Sequence, residues 1–397
     1  MPGGNGLVLS GGGARGAYQA GVLCGIADVL GDEANRGPFN VLTGISAGAI
    51  NACFLAAGGS AFRESSDKLW EVWRQLRMEH VIRTDFGSFG GLGMRLLANL
   101  SLGGGAGGKR STHLLDASPL KEFLRETIDV EGIRHHVRMG TLRGVAVTTT
   151  SYATGTAITF FDGAPDAQPW VRSARMGQRA ALTLHHVLAS AAIPVLFPPV
   201  RIDACWYGDG GVRMTAPLSP AIHLGASNVL AIGVRYQRPD ALTRELNEGS
   251  RMPTVTLADI GGTMLNASFL DSLEADAERM TRINHTIGLL TNEQKSLQPA
   301  PLHVVPLLMI RPSEDLGKLA SDQLSNFPSI LRHLLRGLGA SDDTGGDLLS
   351  YLAFDPTYIM PLLELGRADA HRLRTEIEQF FSLPLTSAAA QLAPVTA

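Results

Sequence analysis

Short apolar runs that end on glycine alternate along this chain with stretches of helical period, and that alternation predicts most of its elements. Gly6 to Ser10 is a buried-strand run leading into Gly11-Gly12-Gly13-Ala14-Arg15-Gly16. From Ala17 to Leu30, Tyr18, Val22, Ile26 and Val29 recur near helical spacing, which predicts a helix. A second strand is expected at Val41 to Thr43, stopping at Gly44 and followed by a helix-compatible run from Ala49 to Cys53. Strand, glycine loop, helix, strand, sharp turn and helix is the order of parallel crossover units. It predicts an α/β sheet covered on both faces.

Beyond Ala61 the pattern changes. A polar helical stretch carrying Trp70 and Trp73 gives way to Phe86–Arg110, where large apolar residues mix with glycine. Another helix starts near Leu115, with Asp116 or Ser118 as its cap and Pro119 in its first turn. Gly144 to Tyr152 and Gly155 to Phe161 read as a β-hairpin around a Thr-rich turn. Leu182 to Ala192 is helical in pattern and is stopped by Pro194. A short strand is expected from Asp203 to Tyr207, opening onto Gly208-Asp209-Gly210-Gly211. Asn228–Val234 and His303–Ile310 are further buried strands, the second weakened by Pro306. Between them, Ala258–Leu290 reads as one long amphipathic helix. After Pro312 the chain is helical in character to about Phe381, and the Ala/Pro-rich tail is expected to be disordered.

Composition narrows the class. With 45% hydrophobic and 18% charged residues the chain fits a globular protein. Its net charge, 34 − 37 = −3, points neither to a nucleic-acid partner nor to an anionic membrane. Cys24, Cys53 and Cys205 lie far apart with no C-x-x-C spacing, which suggests reduced thiols and a reducing compartment. No basic residue precedes an apolar core at the N-terminus, and no apolar run approaches a spanning helix. The longest, Leu188–Val200, contains three prolines. A cytoplasmic protein that touches membranes only peripherally is the expectation.

The chemistry is concentrated in three places. Gly44-Ile45-Ser46-Ala47-Gly48 is a G-x-S-x-G pattern, in which nearly bare neighbours let one side chain stand clear of a strand-to-helix turn. With 45 glycines in 397 residues the pattern arises by chance roughly 0.3 times in such a chain, so the strand before it and the helix after it carry the weight. The Gly11–Gly16 loop aims several backbone N–H groups at one point near a helix N-terminus, where negative charge is favoured. Asp209 ends a strand between glycines that admit a ligand or another backbone. In an open α/β sheet the carboxyl ends of neighbouring strands share one crevice. Nucleophile, base and oxyanion donors are then available together for acyl transfer.

Four blocks, Gly11–Leu23, Gly44–Ala52, Ala189–Val200 and Tyr207–Ile222, together resemble the patatin-like phospholipases, in that family's order and over roughly residues 6–235. The resemblance implies a three-layer α/β/α fold with a mainly parallel sheet, and a Ser-Asp dyad that cleaves acyl esters of phospholipids or lysophospholipids. It implies no metal and no cofactor. By position, Ser46 becomes the nucleophile and Asp209 its base. The amides of Gly12 and Gly13, with Gly11, become the oxyanion hole, and Arg15 fills the loop's basic position in an orienting or electrostatic role. Gly44, Gly48, Gly210 and Gly211 support these motifs. Residues 1–315 then form the hydrolase domain, with 61–136 as an insertion, 316–382 as a helical C-terminal region and 383–397 as a tail.

Several other readings compete. Gly11-x-Gly13-x-x-Gly16 also fits a dinucleotide fingerprint, but the second strand ends without the acidic residue that a ribose requires, and no Lys-Ser/Thr follows for a P-loop. Asp209 and Asp162 each precede glycine and each fits a simple turn; Asp162 is read as a turn. A Ser-His-Asp arrangement would draw on His223 or His285, yet neither they nor His135, His136, His185 and His186 have a motif around them. Phe86–Arg110 fits a lipid-inserting lid or an ordinary loop, in a region (residues 61–110) whose charge is 8 − 5 = +3. A general esterase, an acyltransferase and a non-catalytic lipid binder remain as alternatives on the same scaffold.

Overall fold

A computed structural model describes residues 3–83, 113–249, 254–296 and 303–385. Its strands are β1 (Gly4–Leu9), β2 (Val41–Ile45), β3 (Gly144–Ser151), β4 (Ala157–Gly163), β5 (Trp170–Arg172), β6 (Arg175–Arg179), β7 (Val200–Ile202), β8 (Cys205–Asp209), β9 (Ala226–Ile232) and β10 (Leu307–Ile310). They form one ten-stranded sheet in the order β10-β9-β1-β2-β3-β4-β6-β5, with β8 paired to both β3 and β7. The run from β10 to β3 is parallel throughout, and β4 turns back antiparallel on β3.

The parallel strands are apolar on both faces because both faces are covered. Leu7, Leu9, Leu42, Leu230 and Ile232 enter a core shared with helices α1 (Gly16–Leu30), α2 (Ala47–Ala57) and α3 (Phe62–Gln75). Val8, Val41, Val229 and Ala231 point the other way, onto Leu218, Ala221, Leu273, Ala277 and Met280. Two faces with alternate residues assigned to each give the three-layer α/β/α arrangement expected from the sequence.

Three boundaries differ from the expectation. The strand placed at Asp203–Tyr207 is a hairpin: Asp203 turns at φ 51°, β7 precedes it, and β8 begins at Cys205 and runs through Asp209. The amphipathic stretch Ala258–Leu290 is two helices, Leu257–Phe269 and Asp271–Leu289, meeting at Leu270. Pairing in the last strand starts only at Leu307, after Pro306. The Phe86–Arg110 segment lies outside the described residues, as does all of the tail beyond Leu385.

The C-terminal helices are not a separate layer. The Pro356–Arg372 helix packs along α1, where a Cβ on Gly21 would lie 2.1 Å from the Leu363 carbonyl oxygen, and Tyr18 donates to Asp369 at 2.9 Å. Leu349, Tyr351, Leu352, Tyr358, Ile359 and Leu362 belong to the same core as Leu7 and Leu9.

Candidate active site

Ser46 is the single residue between β2 and α2, and it takes φ 56° and ψ −127°, a conformation that non-glycine residues rarely adopt. Holding it there costs about 1–3 kcal/mol, which the surroundings must offset. They do so by close packing and by hydrogen bonds. A Cβ on Gly44 would fall 2.2 Å from the Gly48 carbonyl, and one on Gly48 would fall 2.3 Å from the Leu9 carbonyl, so only glycine lets the turn close against β1. The Ser46 amide donates to Ser190 Oγ at 2.9 Å, and Ser190 Oγ donates to the Thr148 carbonyl at 2.6 Å. The amides of Ala49 and Ile50 donate back to the Ser46 carbonyl, starting α2.

Sheet register brings Asp209 to the same point. Ile45 at the tip of β2 pairs with Thr148 of β3, and Asp209 at the tip of antiparallel β8 pairs with Thr149, the next residue along. Since β4 occupies the other edge of β3, β2 and β8 share one edge and meet head to head, with Ser46 and Asp209 at the junction. The Asp209 amide donates to the Ala192 carbonyl at 2.9 Å, and Thr150 Oγ1 donates to the Asp209 carbonyl at 2.7 Å. A Cβ on Gly210 would strike the Thr148 carbonyl and one on Gly211 the Phe269 ring, so both glycines serve close approach.

The carboxyl of Asp209 is fully buried. Its Oδ1 accepts from the Gly211 amide at 2.9 Å, while Oδ2 has no hydrogen-bond partner among the described residues. Burial drives its pKa up to about 7; the Gly211 amide and the nearby Ser46 hydroxyl pull in the opposite direction and only partly offset that. A carboxyl with such a pKa is a far better base than an exposed aspartate and is half ionised near neutrality.

The glycine loop closes the site from above. A Cβ on Gly11 would lie 3.2 Å from the Ser46 Cβ, which places the loop directly against the serine. No described group accepts from the amides of Gly11 or Gly12. Gly13 takes φ 57°, and a Cβ there would lie 2.3 Å from the Tyr351 carbonyl. The Arg15 side chain is turned away from the serine and buried: Nε donates to Ser350 at 2.8 Å, Nη2 to Asp347 at 2.7 Å, and the guanidinium lies over the Tyr351 ring. It clamps the loop to the Gly346–Leu352 helix.

From Ser46 an apolar cavity opens between α2, α3 and the Ser118–Thr127 helix. Ile50 and Phe54 supply one wall, Leu69 and Trp73 a second, and Leu120 and Leu124 a third, with Ile193, Phe197 and Tyr351 near the serine. Leu69, Trp73, Leu120 and Leu124 come from the 61–136 insertion and Tyr351 from the C-terminal helices, whose sequences show amphipathic helices but no site motif. Ser190 lies within the Ala189–Val200 block, in a run of alanines that gives it no pattern of its own. Trp73 Nε1 donates to Asn51 Oδ1 at 2.8 Å, and Asn51 Nδ2 donates to Gln19 Oε1 and to the Gly16 carbonyl, tying α3 to the glycine loop.

Among the described residues no histidine lines this cavity. His223 stacks on Trp170 and lies just before the N-terminal end of β9, whereas Ser46 follows the C-terminal end of β2, and burial lowers the His223 pKa to about 4. His186 packs on Phe160 and caps its own helix through Thr183. His285 is exposed on the Asp271–Leu289 helix. Asp162 pairs with Val145 at the far end of β3. Among the described residues no three His, Cys, Asp or Glu side chains converge as a metal site, and no helix is long and apolar enough to cross a membrane.

A family model described as patatin-like phospholipase matches residues 7–222. A protein of Pseudomonas aeruginosa named cGAMP-activated phospholipase is 30% identical over 266 residues, 66% of this chain and 66% of that protein, so the match spans just under two thirds of the relative's length. Among solved structures, human GIVD cytosolic phospholipase A2 with a methyl γ-linolenyl fluorophosphonate inhibitor is similar at 13% identity and TM-score 0.43, over 96% of this chain and 58% of that one. VipD from Legionella pneumophila is similar at 14% identity and TM-score 0.32, over 92% of this chain and 67% of that one.

Proposed function

The chain belongs to the patatin-like phospholipase family, and from that premise we propose that it cleaves fatty-acyl esters of phospholipids or lysophospholipids through Ser46 and Asp209. The observation that carries this is the head-to-head meeting of β2 and β8, which sets a buried carboxyl of pKa about 7 beside a serine held clear of its sheet.

In the proposed reaction the Asp209 carboxylate takes the Ser46 proton as Oγ attacks the ester carbonyl. Negative charge then develops on the carbonyl oxygen, where the amides of Gly12 and Gly13, with Gly11, donate to it. Each such preorganised donor contributes about 2.7–4 kcal/mol in other hydrolases. The tetrahedral species collapses, the carbon–oxygen bond to the glycerol side breaks, and the leaving alkoxide receives the proton from Asp209. The acyl chain stays on Ser46 with its tail in the apolar cavity. A water molecule then gives one proton to Asp209 as it attacks the acyl carbonyl; when the bond to Ser46 Oγ breaks, Asp209 returns that proton to Oγ and the fatty acid leaves.

Arg15 acts in this scheme as a positioning residue for the loop, because its cation is already held by Asp347 and Ser350. The test is release of fatty acid from defined phospholipid vesicles by the wild type, Ser46→Ala and Asp209→Asn. Release is expected only from the wild type. Equal release by Ser46→Ala would remove the nucleophile.

A further inference from the structure

The acyl cavity has a thin far wall. Phe54, Val72 and Thr127 line the cavity that begins at Ser46, and the same three side chains line a second, surface groove whose other members are Asn35, Arg63, Glu64, Asp67, Lys68, Glu71 and Glu126. All three are half-buried, as a partition between an apolar and a hydrated compartment requires. Thr127 is fixed in place by its Oγ1, which donates to the Phe123 carbonyl at 2.6 Å.

The partition stands at a definable distance from the reacting carbon. Ser46, Ile50 and Phe54 are spaced by four residues, so they lie on one face of α2, and eight residues at about 1.5 Å each put Phe54 about 12 Å from Ser46. A fully extended hydrocarbon chain with bonds of about 1.5 Å advances about 1.25 Å per carbon, so about ten carbons reach the wall. Beyond it the groove opens to solvent and is lined largely by charged residues, so methylenes entering it are covered on one side only and gain less from burial than those in the cavity.

We propose that Phe54, Val72 and Thr127 set the acyl-chain length that this site accepts, with a limit of about ten carbons in the cavity as it stands. The proposal rests on the reading of Ser46 as the acyl-bearing residue and makes its substrate class a medium-chain acyl ester, or a longer chain that must displace Phe54. Phe54 is the principal stop because it is the largest of the three and lies in line with Ser46 and Ile50.

Dissociation constants of saturated fatty acids of about six to sixteen carbons, measured on the intact chain, test it without requiring any chemistry. In the wild type, affinity is expected to strengthen about fourfold per methylene up to about ten carbons and then level off. Phe54→Ala is expected to move that break to longer chains. Ile50→Phe, which fills the cavity one turn nearer Ser46, is expected to move it to shorter ones. Should Phe54→Ala fail to fold, Val72→Ala and Thr127→Ala open the same wall. Affinity that keeps climbing past about twelve carbons in the wild type, or a break that neither class of variant moves, overturns the proposal. A break that moves as expected in a chain that cleaves no ester upholds the length limit and sinks the hydrolase reading instead.

Discussion

A carboxyl with the ordinary aspartate pKa near 4 is a weak base for a serine hydroxyl. Asp209 departs from that value because it is buried with only Gly211 and the Ser46 hydroxyl to relieve its charge. The same burial has a cost that stability measurements can read. The folded value, about 7, lies above the unfolded one near 4, so between those pH values the folded chain keeps a proton that the unfolded chain has lost. Stability therefore falls as pH rises through that window, by about 4 kcal/mol, and is fully present only below it. Asp209→Asn keeps the acceptor for Gly211 and removes the charge. It is expected to stabilise the chain by a few kcal/mol at pH about 8 in urea denaturation and to change little near pH 4. A variant no more stable than the wild type at the higher pH would contradict this reading. At this scale the sequence was informative: Ser46 and Asp209 sit in distinctive local patterns. Ser190 does not, since a serine in a run of alanines carries no mark of the backbone amide whose hydrogen bond it accepts from 144 positions away in the chain.

Strands and helices were legible to the extent that their period or their boundaries were marked. β1, β2 and the β3–β4 hairpin have strong apolar runs and glycine or threonine turns, and they fall where the pattern puts them. The β7–β8 hairpin did not, because its two strands are short and its turn is made by Asp203 in a left-handed conformation, not by glycine. The break at Leu270 interrupts an apolar period that runs on through it. The role of the Gly346–Leu352 helix was hidden for a different reason: its contacts with the glycine loop join residues more than 330 positions apart. Tyr351 is the centre of that contact, with its ring under Arg15, its carbonyl against Gly13 and its hydroxyl donating to Asn266 at 3.0 Å. Tyr351→Ala is expected to cost about 3–5 kcal/mol in chemical denaturation, the range for emptying a large buried aromatic site. Tyr351→Phe, which loses only the hydroxyl's bond, is expected to cost about 1 kcal/mol. Equal effects of the two variants would contradict the packing role.

Across the whole molecule, the proposed reaction divides the work: the sheet would supply the chemistry and the surrounding helices the site for the acyl tail. β2 and β8 meet on one edge of β3 and deliver Ser46 and Asp209, while α2, α3 and the Ser118–Thr127 helix enclose the apolar space that leads away from them. The first part is fixed by strand order, which parallel crossovers make readable. The second depends on which faces of two amphipathic helices turn toward α2, which is apolar nearly all round, and amphipathicity alone does not specify a partner. The account stands on Ser46 being activated by Asp209. Mass-spectrometric mapping of a fluorophosphonate adduct, with its rate of formation followed against pH, tests that most directly. The adduct is expected on Ser46, forming at a rate that rises through pH about 7 and levels above it, and that falls by about 10² or more in Asp209→Asn. An adduct on another residue, or one that forms on Ser46 at the same rate with and without the Asp209 carboxylate, would contradict it.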